Sequence, residues 1–260
     1  MGAQVLAQGE PFAPPGIGDF NLPPIVAGVT KPMVLVVLAA GIVAVFFLLA
    51  IRKPSVVPSR FQFAAESVYN IARNNIARSQ IGAPDFRPFV PLIATLFTFI
   101  LVNNLFGLVP LIQFPTMSHI GFPLALSVLV VYPVYHTVGI RRHGLGRYLK
   151  NQLFPAGVPK PIYLLLTPIE FFTKFIMNPI TLAIRVFAAM FAGHLLLLIF
   201  TVAGAWLLLE APPVLKAASV ISWAFAIAMT FLEALIMVIQ AYIFAVLSAS
   251  YIGMALASDH

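Results

Sequence analysis

Two apolar stretches, 161–209 and 216–258, constrain this chain more than anything else in it. Each holds forty or more residues with only a few spaced polar groups and no polar turn in its middle. A helix of about forty residues is roughly 60 Å long, about twice the hydrocarbon core of a bilayer. Each stretch must therefore tilt steeply or break into a hairpin. The absence of a central turn favours long, tilted helices, with Pro168 and Pro179 as expected kinks in the first. Water is excluded as the solvent. Hydrophobic residues make up 61 % of the 260 and charged ones 9 %, whereas a soluble domain is about half apolar and a quarter charged.

Three shorter runs also reach the roughly 20 residues that a span needs: 33–51, 89–112 and 122–140. The second carries Asn103 and Asn104, the third Pro133 and His136. Between the first two runs, residues 61–81 place Phe61, Ala65, Val68, Ile71, Ile76 and Ala77 near one side. Glu66, Asn70, Arg73 and Asn74 fall largely on another, the pattern of an amphipathic helix on the inner membrane surface or of an ordinary polar loop helix. The expected fold is an all-α integral membrane protein: about five transmembrane helices plus a surface amphipathic helix, the last two spans long and tilted as an antiparallel pair. Residues 1–32 form an external N-terminal segment and 33–258 a single transmembrane domain.

Basic residues set the orientation. The loop 52–87 holds Arg52, Lys53, Arg60, Arg73, Arg78 and Arg87; the loop 141–160 holds Arg141, Arg142, Arg147, Lys150 and Lys160. The opposite side has only Lys31 and Lys216. Those two loops are thus expected inside, with the N-terminus outside and the C-terminus in the cytoplasm. The polar start, without a basic, apolar leader, suits a bacterial plasma membrane. No basic run is interleaved with exposed aromatics, so the net charge of +7 does not point to nucleic acid. Cysteine is absent, which removes disulfides, thiolate metal sites and a thiol nucleophile. No internal repeat is visible, against an inverted-repeat transporter.

Ionisable groups inside a span are costly and mark ion paths or buried ion pairs. Here they are Arg185, His194 and Glu233, with Glu170 and Lys174 nearer the inner surface. On a regular helix Thr181, Asn178, Lys174 and Glu170 all point within about 60° of Arg185, one polar stripe from the inner surface to the arginine. His194 lies about 180° away and roughly 13 Å further out. On the antiparallel partner, setting Gln240 level with Arg185 brings Glu233 near the depth of His194. The expectation is two half-paths that do not meet: an acid–imidazole pair outside, and a polar stripe inside. An Arg–Gln pair lies between them. His194 and Glu233 can exchange protons near neutral pH. Arg185 stays charged, so it blocks a leak and attracts a carboxylate carried past by a partner. Each residue also has a plainer role open to it: Arg185 in a structural ion pair, His194 in packing, Gln240, Asn103 and Asn104 as interhelical glue. Ala188, Ala189, Ala192 and Gly193 read as a close-packing surface, and His119 and His136 as incidental.

Three stretches resemble the ATP synthase subunit a (mitochondrial subunit 6) family. Pro179-Ile-Thr-Leu-Ala-Ile-Arg185-Val-Phe-Ala-Ala-Met-Phe-Ala-Gly-His194 is similar to the signature around the family's essential arginine. Ile239-Gln240-Ala-Tyr-Ile-Phe-Ala-Val-Leu resembles the second signature, and Thr95–Pro110 the second span. The resemblance covers most of 54–257. It implies that Arg185 faces a rotor with Gln240 as its companion, and that His194 with Glu233 forms the outer half-channel pair. Glu170 matches an acid of the inner half-channel. It further implies a proton-conducting stator subunit of an F-type ATP synthase, partnered by a ring of c subunits bearing the mobile carboxylate and by peripheral-stalk b subunits. Neither cofactor nor bound nucleotide is implied. Some bacterial relatives carry the acid and the histidine in the reverse order, as a functional pair would allow. Two departures stand out: Ala189 where many relatives have Asn, and Gly107 where some have an acid.

Two other classes compete. A stand-alone proton or ion transporter needs its own mid-membrane carboxylate, and none accompanies Arg185. An intramembrane hydrolase needs a motif such as HExxH or GxSxG, which is absent. His194 and Glu233 alone are too few for a catalytic zinc.

Overall fold

The computed structural model describes residues 12–20, 23–24, 28–52, 57–154 and 162–257. Lys53, Lys160, Pro161 and Ser258 lie outside these, so the far ends assigned to both long runs fall there too. The described chain is helical throughout, without a β-sheet, and five helices are long and apolar enough to cross a membrane. They are α1 (Lys31–Arg52), α3 (Arg87–Leu105), α4 (Gly121–His143), α6 (Tyr163–Leu209) and α7 (Ala218–Leu256). Two shorter helices complete the set. α2 is continuous from Arg60–Asn70 through a wide π turn, Ile71–Ala77, to Arg78–Ile81. α5 is Leu145–Leu153.

Neither long run breaks into a hairpin. α6 and α7 span 47 and 39 residues and pack along each other. Their prolines act locally instead. Proline at position i removes a donor and its ring crowds the carbonyl of residue i−4. The π segment Phe172–Met177 sits just before Pro179 and includes that carbonyl, on Phe175. Leu126–Val131 stands in the same relation to Pro133 in α4. In both places the helix widens by one residue rather than ending. The two widened turns adjoin: Ser127 Oγ donates to the Pro179 carbonyl at 2.8 Å.

The run 89–112 is helical only as far as Leu105; beyond it the chain turns through Gly107 and Pro110, with Gln113 at φ 43°. The core lies where α3, α4, α6 and α7 meet, around Ile93, Ile100, Met117, Leu182, Met190 and Met237. Ala241, Ala245 and Ala249, all fully buried, recur every fourth residue of α7, so neighbouring backbones approach closely. At Gly253 the approach is complete: a Cβ there would collide with the Gln80 carbonyl of α2. α2 therefore packs on the bundle through Ala72, Ile76, Ala77 and Ile81, with Arg73, Asn74 and Arg78 exposed. Phe61, expected on the apolar side, is half exposed and meets Phe46 of α1 edge-on. The outward faces of α6 and α7 stay apolar and exposed, including Leu164, Leu165, Val220 and Phe231. That surface suits lipid or another membrane helix.

α2, α5 and the C-terminal end of α7 lie together, so the two basic loops share one end of the bundle. Arg142 of one and Asp85 of the other face each other there at 3.8 Å. This is the basic end; the turn 106–115 and Lys31 mark the far end.

Candidate functional site

The register of α6 against α7 positions everything else. Gly204 lies against the Trp223 indole, the Phe200 and Phe225 rings stack at 5.4 Å, and Ser222 Oγ donates to the Phe200 carbonyl. Continued toward the basic end, this register sets His194 opposite Glu233 and Arg185 level with Gln240.

His194 Nδ1 and Glu233 Oε1 are 3.3 Å apart. Both side chains are buried, at 4 % and 2 % exposure. One proton can join the two atoms at that distance, and the low-dielectric surroundings strengthen their coupling. Gly193, one residue away, leaves room for the Glu233 side chain, whose Cγ is 3.6 Å from where a Cβ would stand. The second carboxylate oxygen is buried and makes no hydrogen bond among the described residues. His194 also borders a cavity of about 310 Å³ at the far end, lined in part by Gly107, Gln113, Thr201, Trp223 and Thr230. The segment carrying Phe20 also packs against His194. Phe20, in a short 3₁₀ turn, packs edge-on to the imidazole at 6.0 Å and against Phe191 at 4.6 Å.

Arg185 is exposed on the bundle surface and makes no hydrogen bond or ion pair among the described residues. Its charge is felt at Tyr251 of α7. Gln240 is level with it but not bonded to it; its Oε1 is buried and has no hydrogen-bond partner among the described residues. Around Arg185, Ile184 and Ala188 are exposed while Ala183 and Val186 face the core. The arginine therefore stands on a smooth face.

At the basic end, a second cavity of about 270 Å³ gathers Glu170, Thr173, Lys174 and Asn178 from α6. Tyr148, Asn151 and Gln152 enter it from α5, and Ala255 from α7. The widened turn 172–177 lies within the expected stripe, between Glu170 and Asn178. Glu170, Lys174 and Asn178 line this cavity, and Thr181 lies exposed outside it, its hydroxyl bonded to the Asn178 carbonyl. Lys174 Nζ is 3.1 Å from Glu170 Oε2 and donates to the Gln152 carbonyl at 2.8 Å. The Tyr148 phenol is pushed far up by burial, reinforced by Tyr135, and stays protonated.

Asn103 and Asn104 divide their roles. Asn103 is buried and bonded to the Phe99 carbonyl and to the Thr116 hydroxyl, a local tie. Asn104 Nδ2 crosses to the Met237 carbonyl of α7 at 3.2 Å, a helical turn from Glu233, and its Oδ1 is buried and unpartnered. Gly107 is closed in: a Cβ would lie 2.8 Å from Met237 and 3.2 Å from Pro115. A side chain there would require the flexible Met237 methyl to move and the Pro115 ring to give slightly. His136, read as incidental, holds the Tyr148 hydroxyl. Only a contact map reveals that tie, because the two residues lie on different helices with a glycine turn between them.

Comparison with known proteins follows the same residues. A family model described as ATP synthase A chain matches residues 33–253. A protein of Nocardioides sp. named ATP synthase subunit a is 45 % identical over 268 residues, covering 98 % of this chain and 96 % of that one. Its namesake in Pseudarthrobacter chlorophenolicus is 46 % identical over 253 residues, covering 95 % and 94 %. The Rhodococcus erythropolis protein of that name is 36 % identical over 255 residues, covering 96 % and 92 %.

Proposed function

The chain belongs to the ATP synthase A chain family, and from that premise we propose that it conducts protons as the stator of an F-type ATP synthase. It carries them along two offset half-paths. One observation carries this reading: two cavities, each with polar side chains in its wall, lie on opposite sides of Arg185 along α6, and neither includes it. Counted along the helix, Arg185 is about 10 Å from Asn178 and about 13 Å from His194.

The far-end cavity is the outer half-path, ending at His194 and Glu233. With Oε1 shared with the imidazole and Oε2 unpartnered, Glu233 can take a proton from one side and release it on the other. Asn104, one turn further in, is the next polar group. The basic-end cavity is the inner half-path, with Glu170, Lys174 and Asn178 at its wall. This puts the basic loops on the cytoplasmic side, the N-terminus outside and the C-terminus inside, in a bacterial plasma membrane.

Arg185 separates the two. A guanidinium does not deprotonate in a protein, so no proton passes it directly. The passenger is a carboxylate on the facing c-subunit ring. Near Arg185 its ionised form is favoured; against lipid its neutral form is favoured. A carboxyl loaded from one half-path must therefore travel around through lipid before it discharges into the other, and net flow becomes rotation. The smooth exposed face beside Arg185 suits a helix gliding past. Gln240, level with the arginine and with an oxygen unpartnered among the described residues, is its companion on α7. Peripheral-stalk b subunits hold the chain still, and nucleotide chemistry occurs elsewhere in the complex.

The test is ATP-driven proton pumping by the assembled complex in inverted membrane vesicles. Arg185→Ala is expected to abolish pumping while the complex still assembles. Normal pumping would overturn the reading.

A further inference from the structure

α5 is fastened to the rest of the bundle more specifically than a surface loop requires. Gly144, at φ 78° and ψ 150°, turns the chain back after α4 into a conformation that side chains other than glycine's rarely adopt. Tyr148 and Gln152 then lie one turn apart on the same buried face.

Two ties leave that face. The Tyr148 ring is 2 % exposed and sits over Gly139 of α4, so closely that a Cβ there would fall within it. Its hydroxyl meets His136 Nδ1 at 2.8 Å, and the His136 ring stacks on Phe175 at 5.0 Å and 17°. The second tie is the Gln152 carbonyl. It belongs to the last turn of α5, where carbonyls lack partners within the helix. Lys174 Nζ fills that role from α6, a cation at the negative end of a helix. The two ties end on adjacent residues, Lys174 and Phe175, inside the widened turn of α6. That turn has given up regular α-helical bonding, so its register needs outside support.

We propose that α5 is a strap that closes the inner cavity, and that Tyr148 is a positioning residue that sets the Glu170–Lys174 pair through His136 and Phe175. The proposal rests on the reading of this cavity as the inner half-path. With the strap closed, Lys174 is held between the Gln152 carbonyl and Glu170, and Ala255 is sealed beneath Tyr135 and Tyr148. With it open, Lys174 turns to solvent and Glu170 loses its cation.

The chain has no cysteine, so a single introduced thiol reports cleanly on this opening. Ala255→Cys places a small buried thiol at the cavity wall. In assembled complexes in inverted vesicles, a membrane-impermeant methanethiosulfonate reaches it only when the strap opens, and mass spectrometry of this subunit gives the rate. Tyr148→Phe keeps the ring and removes the hydroxyl. It is expected to raise the modification rate about fivefold, the population change that follows from losing one hydrogen bond. His136→Gln, which cuts the same tie from α4, is expected to do the same, and the double variant to add little more. An unchanged rate in both single variants would overturn the strap, as would full additivity in the double. Pumping in the same vesicles separates the two ideas: faster modification with undiminished pumping keeps the strap and sinks the inner half-path.

Discussion

The two acid–base pairs on the long helices are built oppositely, although each joins one carboxylate to one nitrogen base. His194 and Glu233 are buried, come from different helices, and leave an oxygen unpartnered. Glu170 and Lys174 are about a quarter exposed, stand four residues apart on one helix, and have a third partner in the Gln152 carbonyl. In the first pair a single proton can lie between two buried groups 3.3 Å apart. In the second, half-wet surroundings screen the pair. The outer pair is suited to hand a proton on. The inner one is suited to hold a fixed field at the wall of the basic-end cavity.

Separating the outer partners should have the largest effect. Breaking a buried pair by removing one partner costs about 3–5 kcal/mol because the other group is left unpaired. Glu233→Gln and His194→Leu are each expected to reduce ATP-driven pumping to near background. The exchange His194→Glu with Glu233→His keeps one acid and one imidazole in contact and should recover a measurable part. If the exchanged protein pumps no better than either single variant, the two residues do not act as a pair. Phe20 tests the cover over that pair. Phe20→Ala opens the side of His194 away from the cavity, and truncating a buried phenylalanine typically costs about 3–5 kcal/mol. Pumping should fall severalfold, and a thiol placed at Leu195 should react faster from the outer face. An unchanged reaction rate would mean that the segment carrying Phe20 does not shield the imidazole.

Much of this asymmetry was legible in the sequence. Apolar length and the absence of a central turn gave two unbroken helices, and antiparallel counting from Gln240 brought Glu233 to His194. Both inferences use only rise and period, which long apolar helices obey. The basic end was less legible because it departs from that period. The widened turns answer a proline's crowding of a carbonyl, and no hydrophobic pattern announces where a helix will add a residue. Counting at 100° per residue put Glu170 and Lys174 on one stripe with Arg185 but did not show the cavity that they share with α5. The strap residues were invisible for another reason. Tyr148, Gly139 and His136 matter by contact between helices, and the useful part of Gln152 is its backbone carbonyl, which any residue would supply.

The smallest effect is expected at the inner pair, and it separates the two designs most sharply. A partly exposed ion pair four residues apart on a helix contributes about 0.3–0.5 kcal/mol. Glu170→Gln keeps the shape of the side chain and removes its charge. Lys174 keeps its bond to the Gln152 carbonyl, so the strap stays closed and the complex should assemble and melt as the parent does. If Glu170 supplies a field rather than a required proton stop, pumping should fall only severalfold, and a water path past Asn178 should carry the rest. Loss as complete as that expected for Glu233→Gln would show that the inner carboxylate is itself an obligatory stop, and the contrast between a proton-passing outer pair and a fixed inner one would fail. Pumping at the parent rate would take Glu170 off the path and leave that path to Asn178 and the other polar groups lining the cavity.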